Sequence, residues 1–178
     1  INIAGIPLKE QELLNAVYSG AFVTAAKAAF SNSKSAIMHK WLSYVTGDPK
    51  RQDILAIALK WIAAKQGISV SGYMATHRGD LDCAELREYF EAVIGWVEHV
   101  FVRPPDKEMR GQPWADFYET YHKHPYDPTA VDARVEELRG DPAVHSDKGI
   151  YEYVLAEFAP RVDANPKLLD IRIFEDSV

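Results

Sequence analysis

The sequence contains a single cysteine, Cys83, and this scarcity excludes two classes of protein. One thiol cannot form an intramolecular disulfide framework, and it cannot build a cysteine-rich zinc site. Uninterrupted apolar runs are also short, as in residues 56–59, which end at Lys60. A membrane-spanning helix needs about 20 consecutive apolar residues. We therefore expect no association with a membrane.

The motifs that mark common catalytic sites are missing as well. The sequence has no GxxxxGK[ST] phosphate loop, no GxGxxG, no GxSxG and no HExxH. It also has no signal peptide and does not begin with methionine. From these absences we expect a cytoplasmic protein in a reducing compartment, with no cofactor, and we expect the chain to be a segment of a longer protein.

What is present is typical of a globular protein. Hydrophobic residues make up 47% of the 178 residues and charged residues 26%. This balance excludes a disordered or collagen-like chain, and the length corresponds to about one domain.

Charge is distributed unevenly along the chain, whose overall net charge is −6. Residues 1–78 carry nine Lys and Arg against four Asp and Glu, a net charge of +5. Residues 79–178 carry eleven against twenty-two, a net charge of −11. One interpretation is a nucleic-acid face on the first half and a partner-binding face on the second. The other is that two solvated surfaces differ by chance and pack against each other.

Helical spacing and helix-end residues predict helices along most of the chain. We predict helices over residues 7–19, 21–30, about 50–66, about 83–102 and 150–158, a helix from a cap at Ser33 or Ser35 to about residue 45, and a short helical turn over 69–77. Helical spacing also predicts a helix over residues 114–121 and another between Asp127-Pro128 and Gly140. The fold class is therefore all-α, an irregular multi-helix bundle of about seven to nine helices. Alternation at Leu169, Ile171 and Ile173 favours a short strand in the tail, although a helix start there stays open.

The sequence also predicts which residues cap the helices and which helix faces are buried. Ser33 or Ser35, Asp48, and Asp80 or Asp82 are candidate helix caps. Two apolar faces are predicted to point inward: Ile54, Ile57, Ala58, Trp61 and Ile62 on the fourth helix, and Leu86, Phe90, Val93, Val97 and Val100 on the long helix.

The best internal break is residues 103–113, which hold three prolines and a glycine and cannot continue a helix. We predict a basic-to-neutral helical lobe over residues 1–102 and a smaller acidic helical lobe over residues 114–178. The two lobes can also form one domain overall.

Six histidines raise the question of a metal site. Glu119 and His122 have the Glu-x-x-His spacing of di-iron helical bundles, and His124 is near. Such a bundle needs two of these pairs and further inward glutamates, and the sequence has one pair. We therefore predict no metal, and we interpret this segment as a solvated loop end before Pro125.

Cys83 could act as a nucleophile with His77 or His99 as its base, because a helix N-terminus lowers the pKa of a thiol. No orienting residue or oxyanion motif accompanies it, so a small, half-buried cysteine is the favoured interpretation. Asp80 and Asp82 resemble paired carboxylates, but they lie where a helix cap is needed. We therefore predict no catalytic residue in this segment.

The basic half offers a candidate nucleic-acid site. Its cations surround two short predicted helices with His39, Trp41 and Tyr44 interleaved, roughly a helix–turn–helix in length. The candidate phosphate-binding residues are Lys27, Lys34, Lys40, Lys50 and Arg51. Lysines there could neutralise phosphates without reading sequence. Alternatively, Trp41 and Tyr44 belong to the core and the lysines only solubilise the surface.

The opening of the chain, INIAGIPLKEQELLNAVYSGAF, resembles a segment of the ParB/sulfiredoxin-like restriction proteins typified by the GmrSD system. The matching residues are Asn2, Gly5, Leu8, Gln11, Glu12, Asn15, Ala16, Tyr18, Gly20 and Phe22. In that family this segment closes an N-terminal α/β core and enters a helical region. The resemblance implies that the chain is the middle helical domain of such a bacterial restriction or phage-defence protein.

The parent proteins of that family are modification-dependent or phage-defence nucleases. They carry a nucleotide-binding core with a DGQQR motif, and an HNH nuclease domain often follows it. Neither motif occurs in this sequence. The resemblance therefore implies that this chain is not an enzyme by itself, whereas its parent is an endonuclease or NTPase.

Two functional hypotheses follow. In the first, the chain is a DNA-proximal coupling domain that relays between the N-terminal core and the C-terminal nuclease, with Asn2, Gln11, Glu12 and Asn15 nearest the core. The same residues can also be ordinary polar residues in the first turns of a helix. In the second hypothesis, the chain is a structural protein-interaction module that does not contact nucleic acid. The oligomeric state is not predicted by either.

Overall fold

The structure of the chain is a computed structural model, and it describes residues 19–159. This part contains eight α-helices, two 3-10 turns and no β-strand, so the predicted all-α fold is confirmed. The helices are α1 (Ala21–Phe30), α2 (Ala36–Trp41), α3 (Asp53–Gln66), α4 (Val70–His77), α5 (Ala84–Val100), α6 (Trp114–Tyr121), α7 (Pro128–Arg139) and α8 (Ile150–Phe158). The predicted helix over residues 7–19 and the alternating tail at 169–173 lie outside the described residues.

Helix ends follow the hydrogen-bonding needs of exposed backbone groups. Ser35 Oγ accepts a hydrogen bond from the Met38 amide at 3.2 Å and begins α2, so Ser35 rather than Ser33 is the cap. Ser69 Oγ accepts from the Gly72 amide at 2.9 Å and begins α4. Asp127 begins α7 in the same way, accepting from the Thr129 amide at 3.1 Å. Each side chain satisfies an N–H that has no partner within its own helix.

Three helices are shorter than the sequence predicts. α2 ends at Trp41 instead of Val45, because the chain tightens into i→i+3 turns such as Tyr44 N to Trp41 O at 3.0 Å. α3 begins at Asp53 instead of residue 50. α5 ends at Val100 instead of residue 102, shortly before the prolines of the 103–113 loop, which disfavour helical backbone.

The delayed start of α3 has a specific cause. Pro49–Arg51 forms a 3-10 turn whose first residues are capped by Asp48 Oδ1, which accepts from the Lys50 amide at 2.9 Å. Gln52 then adopts φ +65°, a left-handed conformation that interrupts the helix.

The inward face predicted for α3 is only partly right. Its buried residues are Ile54, Leu55, Ala58, Leu59, Ile62 and Ala63, whereas Ile57 and Trp61 are half-buried.

The chain divides into two compact units, and the division falls between Ala92 and Val93 within α5. In the first unit, Phe90 packs against three other aromatic rings: Phe30 at 5.4 Å, Trp41 at 4.9 Å and Trp61 at 5.0 Å between centroids. The five predicted inward residues of the long helix, Leu86, Phe90, Val93, Val97 and Val100, are all buried. The inward face of α5 was therefore predicted correctly.

The second unit has its own aromatic core. Trp114 and Tyr151 are fully buried, and Phe101 packs edge-on against Tyr151 at 5.1 Å between ring centroids. Residues 103–113 are non-helical, as predicted, and belong to this unit. Met109 anchors the loop because its side chain is completely buried and its carbonyl accepts from Trp114 Nε1 at 3.0 Å.

Within residues 19–159, no single helix combines the length and apolar composition needed to cross a membrane. Among the described helices, α3 and α4 meet those two criteria only when taken together, and they are bent by 93° at the break between them.

Candidate nucleic-acid interface

The candidate cations lie along α1, α2 and the 3-10 turn that precedes α3. Lys34, Lys40, Lys50 and Arg51 are exposed, and Lys27, in the last turn of α1, is half-buried. The segment 27–51 contains one acidic residue, Asp48, and therefore has a net charge of +4. The predicted phosphate-binding residues thus share a strongly positive segment, with four of the five side chains open to solvent.

The local structure keeps these cations at the surface. Lys34 lies in the turn between α1 and α2, where its amide donates to Asn32 Oδ1 at 3.2 Å. Lys50 and Arg51 project from a 3-10 turn held by Pro49, which is buried. Arg51 Nε lies 3.8 Å from Asp48 Oδ2, with the two side chains 75% and 48% exposed. An ion pair this exposed holds its partners weakly, so Arg51 keeps most of its capacity for an external anion.

The interleaved aromatic residues do not belong to this surface. Trp41 is 1% exposed and stacks on Phe30 at 5.2 Å between ring centroids, and Tyr44 is 4% exposed. Neither ring is available to stack on a base, so the alternative interpretation, that Trp41 and Tyr44 are core residues, is confirmed. His39 is exposed. The burial of the two rings fixes the path of the chain that carries Lys40.

The remaining sequence-predicted site residues fall into other environments. The proposed core-coupling residues Asn2, Gln11, Glu12 and Asn15 lie outside the described residues. Cys83 is buried, and burial raises the pKa of its thiol above the ordinary value in spite of Arg87 nearby. The raised pKa and the burial of the thiol disfavour the nucleophile alternative, because desolvation outweighs the attraction of Arg87, and they agree with the favoured interpretation of Cys83 as a small packing residue.

Asp80 and Asp82 have different roles. Asp82 Oδ1 accepts from the Ala84 amide at 3.0 Å at the start of α5, as predicted for a cap. Asp80 is not a cap, because its Oδ2 lies 2.7 Å from His77 Nδ1. Both aspartates lie close to the start of α5 in the sequence, so either could have been its cap. The contact of Asp80 with His77 leaves Asp82 as the cap.

His77 belongs to a polar cluster that sequence reasoning missed. Its Nε2 lies 3.7 Å from Glu85 Oε1, which also accepts from Gln66 Nε2 at 2.9 Å and from Tyr73 Oη at 3.1 Å. Burial and the neighbouring Glu85 raise the pKa of Tyr73 far above its ordinary value. The cluster joins α3, α4 and α5 of the first unit. The contact between Gln66 and Glu85 could not be predicted from local sequence spacing, because the two residues lie in different helices.

The Glu119, His122 and His124 segment has no metal-like geometry. His122 Nδ1 contacts the Tyr118 carbonyl, and its ring stacks on Tyr118 at 4.1 Å between centroids, so it closes the end of α6. His124 packs edge-on against Tyr126 at 4.6 Å. Over residues 19–159, no three His, Cys, Asp or Glu side chains are grouped closely enough to hold a metal ion.

Comparison of the chain with protein-family models, with curated proteins and with solved structures found no match in any of the three.

Proposed function

We infer that the chain is a helical domain that attaches to the phosphate backbone of DNA through residues 27–51. The observation that carries this proposal is the concentration of exposed cations in a segment with one acidic residue. Cations neutralise phosphates and release bound counterions, and this supplies most of the affinity of non-specific DNA binding. The chain as a whole carries −6, so DNA attachment needs such a local positive surface.

The same surface favours attachment without sequence recognition. Base reading in the major groove needs a helix that presents several side chains to base edges. α2 has only six residues, and two of them, Met38 and Trp41, are buried. The exposed aromatic surface that stacks on unpaired bases is also missing from this segment, since Trp41 and Tyr44 are core residues.

The resemblance of residues 1–22 to GmrSD-type proteins supplies the context of the proposal. In it, this domain holds DNA near the catalytic modules and relays the state of a nucleotide-binding core to a nuclease. Asn2, Gln11, Glu12 and Asn15 would contact that core. The chemistry would then belong to the flanking domains, and the helical domain would supply position and coupling.

A titration against a DNA duplex at several salt concentrations tests the proposal. Replacing Lys34 or Lys50 by Glu is expected to weaken binding for every duplex sequence. Each loss of a phosphate contact should also reduce the slope of log K against log salt by about 1. Both residues are exposed, so the fold should be unaffected, which circular dichroism checks.

Lys123→Glu is the matched control, because it makes the same charge change at an exposed position in the second unit. It should leave the salt slope unchanged. If the Lys34 and Lys50 variants bind DNA as the Lys123 variant does, residues 27–51 are not the attachment surface.

The alternative is a protein-interaction module. The described residues of the second unit, 93–159, carry thirteen Asp and Glu against seven Lys and Arg, which favours a basic protein partner. No detectable DNA binding at low salt would favour this alternative over the first proposal.

A further inference from the structure

The second unit contains a cavity of about 440 Å³ between the 103–113 loop and the 3-10 turn Asp147–Gly149. It is lined by Lys107, Glu108, Arg110, Gly111, Gln112 and Lys148. Three of these six residues are cations and one is an acid. The volume lies within the range of small-molecule sites, which is about 300–1,000 Å³.

The backbone around the cavity is held at several points. Asp106 Oδ1 accepts from the amides of Glu108 at 2.9 Å and Met109 at 3.1 Å. Gln112 Nε2 donates to the Glu108 carbonyl at 2.9 Å and to the Lys148 carbonyl at 2.8 Å, which ties the two sides of the cavity together. Since Met109 is also fully buried, the frame that carries the cations is pre-organised.

The charge of the cavity stands out against its surroundings. Its lining has a net charge of +2, whereas residues 93–159 together have a net charge of −6. Three of the four arginines between residues 93 and 159 are paired with carboxylates: Arg103 with Glu136, Arg134 with Glu157 and Arg139 with Asp106.

The cations that line the cavity, unlike these three arginines, are not held by strong ion pairs. Within the part of the chain that the structure describes, Arg110 and Lys148 have no ion-pair partner. Lys107 has only a 3.9 Å contact with Glu108 and is 89% exposed. Among residues 93–159, which are acidic as a whole, two cations without a carboxylate partner and a third that is weakly held thus line one cavity.

We propose that this cavity binds a phosphate-bearing anion. A guanidinium and two ammonium groups offer the charge and the donors that phosphate oxygens accept, and Arg binds them in a two-point geometry. None of the lining residues that the structure describes is aromatic, so they offer no face to a nucleobase and recognition rests on the phosphate groups. The ligand is either a free compact anion such as pyrophosphate or a phosphate of a nucleic-acid backbone.

Isothermal titration calorimetry with pyrophosphate at low ionic strength tests the site on the full chain. The wild type should bind pyrophosphate, and Arg110→Gln and Lys148→Gln should each weaken binding by about tenfold or more. Lys123→Gln, which removes the same charge elsewhere in the second unit, should bind as the wild type does. Both cavity residues are exposed, so circular dichroism should show an unchanged fold.

A second titration with a DNA duplex distinguishes the two sources of phosphate. If the cavity variants lose pyrophosphate affinity and keep DNA affinity, the ligand is a free anion. If they lose both, or DNA alone, the cavity receives a backbone phosphate. The proposal is overturned if the cavity variants bind both ligands as the wild type does, or if the wild type binds neither. Because pyrophosphate is measured separately, the site can stand even where residues 27–51 do not bind DNA.

Discussion

Asp106 illustrates how a single carboxylate can organise a loop that has no regular structure. Its Oδ2 accepts from Arg139 and from Tyr151 Oη, while its Oδ1 accepts from two backbone amides. Burial raises the pKa of Asp106, but the hydrogen bonds from Tyr151 and Arg139 outweigh it and hold the pKa below its ordinary value. The ionised form is therefore the one that fits the fold.

Replacing Asp106 by Asn should destabilise the protein in a pH-dependent way. A carboxylate whose pKa is lowered on folding stabilises the protein above its ordinary pKa of 3.8 and loses that contribution as the pH falls through the lower, folded value. We expect a loss of about 1–3 kcal/mol in the free energy of unfolding at pH 7, because a charged hydrogen-bond acceptor is removed. Below about pH 4 the difference from the wild type should shrink.

Urea unfolding followed by circular dichroism at pH 7 and pH 3 measures this difference. Asp116→Asn is the control, since Asp116 is exposed in the first turn of α6. A gap between Asp106→Asn and the wild type that is equal at both pH values would contradict the role assigned to the ionised carboxylate.

At the scale of the helix, backbone conformation sets where elements end. Gly67 ends α3 at φ +69°, and a Cβ placed there would meet no atom within 4 Å. Gly95 lies inside α5, and a Cβ there also meets nothing within 4 Å. Replacing either glycine by alanine therefore adds no steric clash. The two positions differ in backbone conformation, which alanine disfavours at Gly67 and favours at Gly95.

Alanine at these two glycines should change stability in opposite directions. Gly67→Ala should lower the free energy of unfolding by about 1 kcal/mol, because an L residue is strained in the left-handed region. Gly95→Ala should raise it by about 0.5–1 kcal/mol, because alanine loses less conformational freedom in a helix. Urea midpoints of the two variants and the wild type provide the comparison, and a shift of the same sign in both would refute this account.

The helices themselves were largely predictable because their ends carry local chemistry. Asp127 caps α7, Pro128 is its first residue and Gly67 follows α3, so residues typical of helix ends stand in the sequence where these helices begin and end. The start of α3 was not predictable, since nothing in the identity of Gln52 requires a left-handed backbone. Local sequence encodes caps and periodicity, whereas tertiary packing decides such interruptions.

The candidate nucleic-acid site was also predictable only in its local features. The cations of residues 27–51 were identified as a group from charge alone, and the structure leaves four of them exposed. The burial of Trp41 depends on packing partners such as Phe90, which lies far along the chain. The cavity of the second unit also escaped prediction, because Arg110 and Lys148 are brought to it by contacts between distant segments.

At the scale of the whole molecule, each compact unit has a separate aromatic centre. The first is built around Phe90, which is fully buried among Phe30, Trp41 and Trp61. The second is built around Trp114 and Tyr151. The candidate DNA surface depends on the first centre, since Trp41 both packs on Phe90 and ends the helix that carries Lys40.

Phe90→Ala should therefore cost about 3–5 kcal/mol in the free energy of unfolding, the range for deleting a buried aromatic ring. That loss is a large part of the roughly 5–15 kcal/mol that stabilises a typical domain, so DNA binding should weaken at temperatures where the wild type is still folded. Phe158→Ala is the control, because Phe158 is 37% exposed and its removal should cost far less. Thermal unfolding followed by tryptophan fluorescence measures both variants. Equal costs for the two substitutions would show that the Phe90 cluster does not determine the stability of the first unit, and the DNA surface would then have to be stabilised by other contacts.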